Sequence, residues 1–374
     1  MLEYRSGRTY FMDIKNELKS RNIPPLLRFN NGNDVRSPEE FEKRKSEIKK
    51  LLSENVYGYI PKKPEHLRAD TTEKRYDFAA GAAHFTVYNL VSTIDGKEFS
   101  FRLFEVLPLR DTPVGAFIYP SFSDTVPNIY YPAEEIADRG YAVYTFSVGE
   151  ITGFSDGFKD RLSKFFIKGK RKHTDPGKIA LWAWACIRVL EFLLALDYID
   201  KNNIAVVGHA EIAEAALLAA AFDERFKYTI VNSSDALSIL RGNAFSKIAD
   251  KSAVFRDGYS TRYRNFSTRE DTLPFDMHFL PALIAPRYLL VGTAKRDTVS
   301  DNDGTFLSLV LSSEAYKLYG EYGLIHNGKF PKVNCPQNKG NILFNIRNGF
   351  RYFTRSDWNL YMDFIDSKSK EKST

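Results

Sequence analysis

One segment of the chain, residues 204–214, combines the features that could support acyl-transfer chemistry. It reads Ile-Ala-Val-Val-Gly-His-Ala-Glu-Ile-Ala-Glu, which predicts a buried strand, a tight turn and an alanine-rich helix. A strained turn of this kind can present a nucleophile above a sheet, with helix N–H groups beside the reacting carbonyl. The turn residue here is Ala210, whose methyl group cannot attack a carbonyl.

Other polar residues could line a pocket around this turn. His209 immediately precedes Ala210, and we interpret it as a packed or hydrogen-bonded residue rather than a new base. Ser123 follows a predicted strand at a place that often supplies a second oxyanion donor, whereas Ser234 ends a predicted strand and could reach the same pocket. The alternative for both serines is an ordinary turn or capping role, which we favour.

Short apolar runs that alternate with helical patterns predict the elements that hold these residues. The predicted strands are 114–119, 141–146, 204–207, 228–232, 288–292 and 342–346. The predicted helices are 133–139, 179–198, 212–222, 275–284, 305–319 and 356–365. This alternation indicates an α/β protein with a mostly parallel central sheet and helices on both faces. Together with the turn at 204–214, it predicts the α/β-hydrolase fold.

The chain is predicted to form one domain over residues 1–374. An N-terminal arm and helix occupy about residues 1–60, and Ser37 with Pro38 marks the helix start. Two strands, 85–91 and 99–106, are predicted to form a hairpin around Asp95-Gly96. The least regular stretch, 238–272, is interpreted as an insertion or lid.

Several motifs resemble those of the glucuronoyl esterases and their acetyl-xylan esterase-like relatives. The similarity covers nearly the whole chain. Its motifs are segments 27–30 (Leu-Arg-Phe-Asn), 55–61 (Asn-Val-Tyr-Gly-Tyr-Ile-Pro), 182–184 (Trp-Ala-Trp), 208–226, 273–278, 282–287 and 357–358 (Asp-Trp). The resemblance implies the α/β-hydrolase fold and carboxylic-ester hydrolase ancestry.

The departures from the family pattern lie at the positions of the family's catalytic residues. The family elbow reads Gly-x-Ser-Arg-x-Gly-Lys, and here Ala210, Glu211, Ala213 and Glu214 stand at its serine, arginine, glycine and lysine. Arg351 occupies the position of the family's histidine, and a guanidinium cannot act as a general base near neutral pH. The two glutamates also remove the positive surface that would hold a uronate carboxylate.

The acid member of the family's triad has two possible positions. One version of the family places a glutamate where this chain has Lys247. The other position falls in segment 295–303, which leaves Asp297 and Asp301 as candidates. The alternative for both aspartates, which we favour, is a turn at the end of a strand.

Composition excludes some classes of function. The net charge of +6, from 53 basic and 47 acidic residues, is small for 374 residues, so nucleic acid is not predicted as a partner. The basic run 159–173 is interpreted as a solvated loop, with an anion-attracting lip over a pocket as the alternative. The two cysteines favour a reducing compartment, and we expect a cytoplasmic protein without a membrane span, metal or cofactor.

Two hypotheses about function remain open. The first, which we favour, is a degenerate hydrolase without serine esterase activity that binds a small molecule or carbohydrate, or acts as a scaffold. The second is an active hydrolase of carbohydrate esters with a rebuilt site. In either case Arg351 and Glu211 are predicted to form an ion pair, with charged groups within about 6 Å of each other. The oligomeric state is not predicted.

Overall fold

A nine-stranded sheet forms the centre of the computed structural model, which describes residues 13–154, 157–242 and 248–371. The strands are β1 (His66–Phe78), β2 (Ala83–Ile94), β3 (Lys97–Pro108), β4 (Val114–Ser121), β5 (Ala142–Ser147), β6 (Ile199–His209), β7 (Tyr228–Asn232), β8 (Tyr288–Ala294) and β9 (Ile342–Arg347). Their order is β1-β2-β3-β5-β4-β6-β7-β8-β9. The first three strands and the β3–β5 pair are antiparallel, whereas β5, β4, β6, β7, β8 and β9 run parallel.

Helices cover both faces of this sheet. Those in the described residues are α1 (Ile14–Ser20), α2 (Pro38–Leu52), α3 (Ala133–Asp138), α4 (Val148–Thr152), α5 (Ser163–Phe166), α6 (Lys178–Leu193), α7 (Glu211–Phe222), α8 (Ile248–Val254), α9 (Phe279–Ala282), α10 (Asn302–Leu318) and α11 (Arg355–Glu371). Helices α3 and α11 pack on one face, and α2, α6, α7 and α10 pack on the other. Strand residues alternate between the two cores, so β6 sends Val206 to one and Val207 to the other.

The direction of the chain connections reverses between β4 and β6. From β4 the chain passes to β5 on one side, and from β6 it passes to β7 on the other. In open parallel sheets, such a reversal creates a crevice at the carboxyl ends of the strands. The turn after β6 lies at this crevice, so the fold places residue 210 where ligands bind in such sheets.

The predicted fold class is confirmed, as are most of the predicted elements. Ser37 caps α2 by accepting a hydrogen bond from the Glu40 amide at 3.2 Å. The hairpin turn falls at Asp95-Gly96, which adopt φ values of 48° and 69°. Each of the six predicted parallel strands is present.

Two predicted helices have the wrong extent. The helix predicted at 275–284 contains only α9, and its flanks close i→i+3 turns such as Phe279 N–H to Asp276 O. Pro281 lacks an N–H, and a regular helix through it would lose a hydrogen bond. The helix predicted at 179–198 ends at Leu193, because Ile199 already pairs with Val114 as the start of β6.

Strand β1 was not predicted and forms one edge of the sheet. Its residues are exposed or half-buried along the whole length. Its outward charges include Arg68, which contacts Glu98 of β3. The opposite edge strand, β9, is partly covered by the segment around Gln337, whose backbone exchanges two hydrogen bonds with Phe344.

The stretch predicted as an insertion or lid contains α8 and three short 3-10 turns in its described part. The Ser260 N–H donates to Val56 O at 2.7 Å, which ties this stretch to the N-terminal arm. Its role as a lid stays a prediction. Among the described residues, every helix is too short or too polar to cross a bilayer.

Candidate functional site

The turn between β6 and α7 keeps the strained conformation of a nucleophile elbow. Ala210 has φ 58° and ψ −132°, a region that residues with a Cβ rarely occupy and that costs on the order of 1–3 kcal/mol. Its N–H donates to Asn232 O at 3.0 Å, and its own carbonyl accepts from the Ala213 N–H at 3.1 Å. The backbone is therefore held in position even though residue 210 carries only a methyl group.

His209 is packed beside the elbow between two aromatic rings. It stacks on Tyr130 with ring centroids 5.3 Å apart and on Phe353 at 6.1 Å. Its Nδ1 lies 2.8 Å from Asn232 Oδ1, and Asn232 Nδ2 donates to Tyr361 Oη. This assignment makes Nδ1 the protonated nitrogen of His209 and leaves the lone pair on Nε2.

The electrostatics keep this imidazole neutral. Burial lowers the pKa of His209, and the positive charge of Arg351 lowers it further, against the raising effects of Asn232, Glu211 and Asp297. The packed and hydrogen-bonded role predicted for His209 is confirmed. Among the described residues, its single hydrogen-bond partner is Asn232, so no hydroxyl group is positioned on it as a nucleophile.

Arg351 links two carboxylates at the mouth of the site. One of its Nη atoms lies 3.8 Å from Glu211 Oε1, and its Nε lies 3.8 Å from Asp297 Oδ2. The predicted ion pair with Glu211 is therefore confirmed. Arg351 Nε also donates to Ser233 O at 3.3 Å. One cation and two anions leave this group of side chains with a net negative charge.

Asp297 is brought into the site, whereas Asp301 is not. The Asp297 side chain is fully buried; Oδ1 accepts from the Val299 and Ser300 amides, while Oδ2 faces Arg351. Asp301 caps α10 by accepting from the Gly304 N–H, and its other oxygen accepts from Ser238 Oγ. The favoured interpretation, a turn residue at the end of a strand, therefore accounts for both oxygens of Asp301. For Asp297 it accounts for Oδ1 but not for Oδ2, which faces Arg351.

The remaining predicted positions act locally. Ser123 Oγ accepts from the Thr125 amide at 3.0 Å, and Ser234 Oγ accepts from the Ala236 amide at 3.2 Å. Both are turn hydrogen bonds, as favoured from the sequence. Lys247 lies outside the described residues.

Glu214 does not line the site, contrary to our prediction. Its carboxylate is buried on α7 and accepts hydrogen bonds from Tyr57 Oη at 2.7 Å and Tyr259 Oη at 2.9 Å. These tyrosines come from the N-terminal arm and the 238–272 stretch, so they seal Glu214 from solvent. Burial raises the pKa of Glu214, although the two tyrosines and the charge of Lys251 oppose the shift.

We expect Glu214→Gln to stabilise the protein near pH 7 more than at acidic pH. Because the folded pKa of Glu214 is raised, its carboxyl stabilises the fold most when protonated, below the ordinary value of 4.5. That contribution is lost as pH rises through the folded pKa. Melting temperatures of the variant and the original protein should differ at pH 7 and converge as the pH falls below 4.5. Glu211→Gln, on the same helix but half-buried, is the control; an equal difference for Glu214→Gln at both pH values would contradict the prediction.

Sequence reasoning missed the partners of His209. Asn232 could have been found, because the register of parallel strands β6 and β7 places it directly beside His209. Tyr130 lies in a loop without a recognisable pattern, and Phe353 lies beyond β9.

No group of three or more metal-binding side chains occurs in the part of the chain that the structure describes.

Comparison with known proteins identifies the family. A sequence model described as glucuronyl esterase, fungi, matches residues 94–320, which is more than half of the chain. The chain belongs to the glucuronoyl esterase family. The carbohydrate esterase MZ0003, from an unknown prokaryotic organism, is 30% identical over 241 residues, which cover 62% of this chain and 55% of that protein.

Solved glucuronoyl esterases share the fold. The enzyme from Solibacter usitatus superimposes with a TM-score of 0.85 at 25% identity, over 92% of this chain and 97% of that one. A variant of the Sporotrichum thermophile glucuronoyl esterase, in complex with methyl 4-O-methyl-β-D-glucopyranuronate, has a TM-score of 0.63 at 21% identity, over 92% and 86%. The chain spans about half the length of the curated relatives it matches.

Proposed function

We propose that this glucuronoyl esterase family member binds a carbohydrate at the elbow site without hydrolysing esters through a serine. The observation that carries the proposal is Ala210, a methyl group held in the strained conformation of a nucleophile elbow. Acyl transfer of this type needs an attacking oxygen and a proton acceptor. At this site Arg351 occupies the position expected for the acceptor, and it is already engaged by Glu211 and Asp297.

Binding does not require the missing hydroxyl. The Sporotrichum thermophile variant solved with a methyl glucuronate ester is a serine-to-alanine variant. In this chain the crevice at the sheet's switch point offers Tyr130 and His209 as rings beside Ala210. These features support a site that holds a sugar while lacking the nucleophile.

The charges at the mouth favour an uncharged ligand. Glu211 and Asp297 outnumber Arg351, so a free uronate carboxylate would meet net negative charge. An esterified uronate or a neutral oligosaccharide carries no such penalty. We therefore propose a sugar ester or neutral sugar, rather than a free sugar acid, as the ligand class of the elbow site.

Ester hydrolysis at a rebuilt site is the second candidate, and the relatives' names favour it, since they are called carbohydrate esterases and glucuronoyl methylesterases. One feature of the site also supports it. His209 is neutral, and its Nε2 lone pair could accept a proton from water. In that mechanism water, rather than residue 210, attacks the ester.

The two candidates differ in turnover. The purified protein is incubated with p-nitrophenyl acetate and a benzyl glucuronate ester, and separately with a fluorophosphonate probe. We expect no hydrolysis above that of heat-denatured protein and no labelling, together with calorimetric binding of methyl glucuronate. Turnover that falls by a factor of about 10²–10⁴ in His209→Gln would instead establish the second candidate. Absence of both turnover and binding would refute both.

Glu211→Arg tests the proposed ligand class. This side chain is half-buried at the mouth, and the change reverses the local charge. We expect free glucuronate to bind more tightly to the variant, with little change for the methyl ester.

The cellular location stays a prediction from the two cysteines.

A further inference from the structure

One cavity of the protein, whose lining does not include Ala210, contains several arginines. It has a volume of about 610 Å³ and lies between the segment around residue 158 and the 253–264 stretch. Its polar and charged lining includes Arg171, Arg256, Asp257, Ser260, Thr261 and Arg264. Arg171 belongs to the basic run 159–173, whose lysines are otherwise exposed.

Arg171 is fixed in the wall of this cavity. Its guanidinium lies 4.0 Å from the centroid of the Phe158 ring, and one Nη donates to Pro176 O at 3.1 Å and Tyr259 O at 2.6 Å. These partners are neutral, so they orient the cation without cancelling its charge. Burial lowers the pKa of Arg171 to about 10, which leaves it charged at neutral pH.

The cavity carries an excess of positive charge. Arg256 and Arg264 are exposed beside Arg171, and none of the three forms a salt bridge with a carboxylate of the described residues. Asp257 is the one acidic side chain of the lining, and its Oδ2 accepts from the Gly157 N–H at 2.8 Å. Three cations therefore face one anion.

Polar atoms without partners lie in the same wall. Arg171 Nε and Ser260 Oγ are both buried, and neither has a hydrogen-bond partner among the described residues. A buried polar atom without a partner is unfavourable, and a bound ligand or ion is one of the ways in which it can be satisfied. Ser260 is 3% exposed, so its side chain is held in place by the residues around it.

We infer that this cavity binds a small oxyanion ligand, with a carboxylate or phosphate held by the arginines and a hydroxyl-bearing body beside Ser260 and Thr261. Guanidinium groups suit both anions because they donate paired hydrogen bonds to two oxygens. The volume lies in the usual range of small-molecule sites. The inference concerns a different site from Ala210 and does not depend on whether the elbow binds or hydrolyses a carbohydrate.

Calorimetry with glucuronate, glucose 6-phosphate and uncharged glucose tests the inference. At about 20 mM salt we expect one or both anions to bind and glucose not to bind, with weaker anion binding at about 200 mM salt. The stronger of the two anions identifies carboxylate or phosphate as the preferred group. Failure of both anions to bind would overturn the inference.

Variants of exposed residues locate the binding. Arg256→Gln with Arg264→Gln should weaken anion binding by about tenfold or more, because each removes a charge-assisted hydrogen bond. Arg262→Gln, an exposed arginine of the same stretch that does not line the cavity, is the matched control. Asp257→Asn keeps an oxygen for the Gly157 N–H and should tighten binding. Equal effects of Arg262→Gln and the double variant, or weaker binding in Asp257→Asn, would place the anion elsewhere.

Discussion

Replacing Ala210 by serine and Arg351 by histidine together should produce hydrolysis of p-nitrophenyl acetate at least about 100-fold faster than either single change. The elbow already holds residue 210 in its strained conformation, so a serine hydroxyl would be presented above the sheet. Asp297 Oδ2 lies 3.8 Å from Arg351 Nε and is placed to orient an imidazole at position 351. A nucleophile without its base, or a base without a nucleophile, gains little, because such groups act as a unit.

The control for this prediction is Ala210→Ser combined with Arg351→Gln, which removes the guanidinium without adding a base. Initial rates and fluorophosphonate labelling are compared across the set. Adding Glu211→Gln should raise the rate of the active variant further, since Glu211 repels a developing oxyanion. If the double variant hydrolyses the ester no faster than the single variants, the prediction is wrong, and the site lacks more for hydrolysis than a serine and a histidine.

Gly208→Ala should destabilise the protein by about 3 kcal/mol or more. A Cβ at residue 208 would lie 2.5 Å from Ala213 Cα and 2.7 Å from Ile212 O, both backbone atoms of the first turn of α7. Neither can move without shifting the elbow. The free energy of unfolding is measured by urea denaturation of the variant and the original protein.

Gly320→Ala is the matched control for that measurement. Gly320 has φ +73° but no atom within 4 Å of an added Cβ, so its replacement costs only backbone strain, roughly 1 kcal/mol. A loss at Gly208 no larger than the loss at Gly320 would show that α7 adjusts freely and that the elbow is not a rigid unit.

Local patterns predicted much of the fold, because the residues themselves restrict the backbone. Asp95-Gly96 marked its hairpin, and the buried runs marked the parallel strands. Strand β1 escaped prediction because it carries charges in place of an apolar face. The 275–284 helix was overpredicted because an apolar run suits a helix as well as the turns around Pro281.

The sequence predicted those parts of the site whose residues each lie within a recognisable motif. Ala210 lies in the predicted elbow turn, and Arg351 contacts Glu211 as expected from the sequence. The environments of His209 and Glu214 depend on side chains from distant segments. Tyr130 reaches His209 from the loop before α3, and Tyr57 and Tyr259 enclose Glu214 from two other regions. Contacts between segments so far apart in the sequence leave no pattern of spacing from which they could be predicted.

The exposed edge strand β1 bears on how copies of this protein meet one another. Thirteen residues long, it ends the sheet with backbone groups that could pair with a neighbouring molecule. Arg68, Asp70, Glu73, Lys74 and Arg75 crowd this border with charge. A second molecule that docked here would strip water from these ionic groups. The charges of β1 thereby disfavour edge-to-edge pairing of copies into fibres, while the other edge strand, β9, is partly covered by the segment around Gln337.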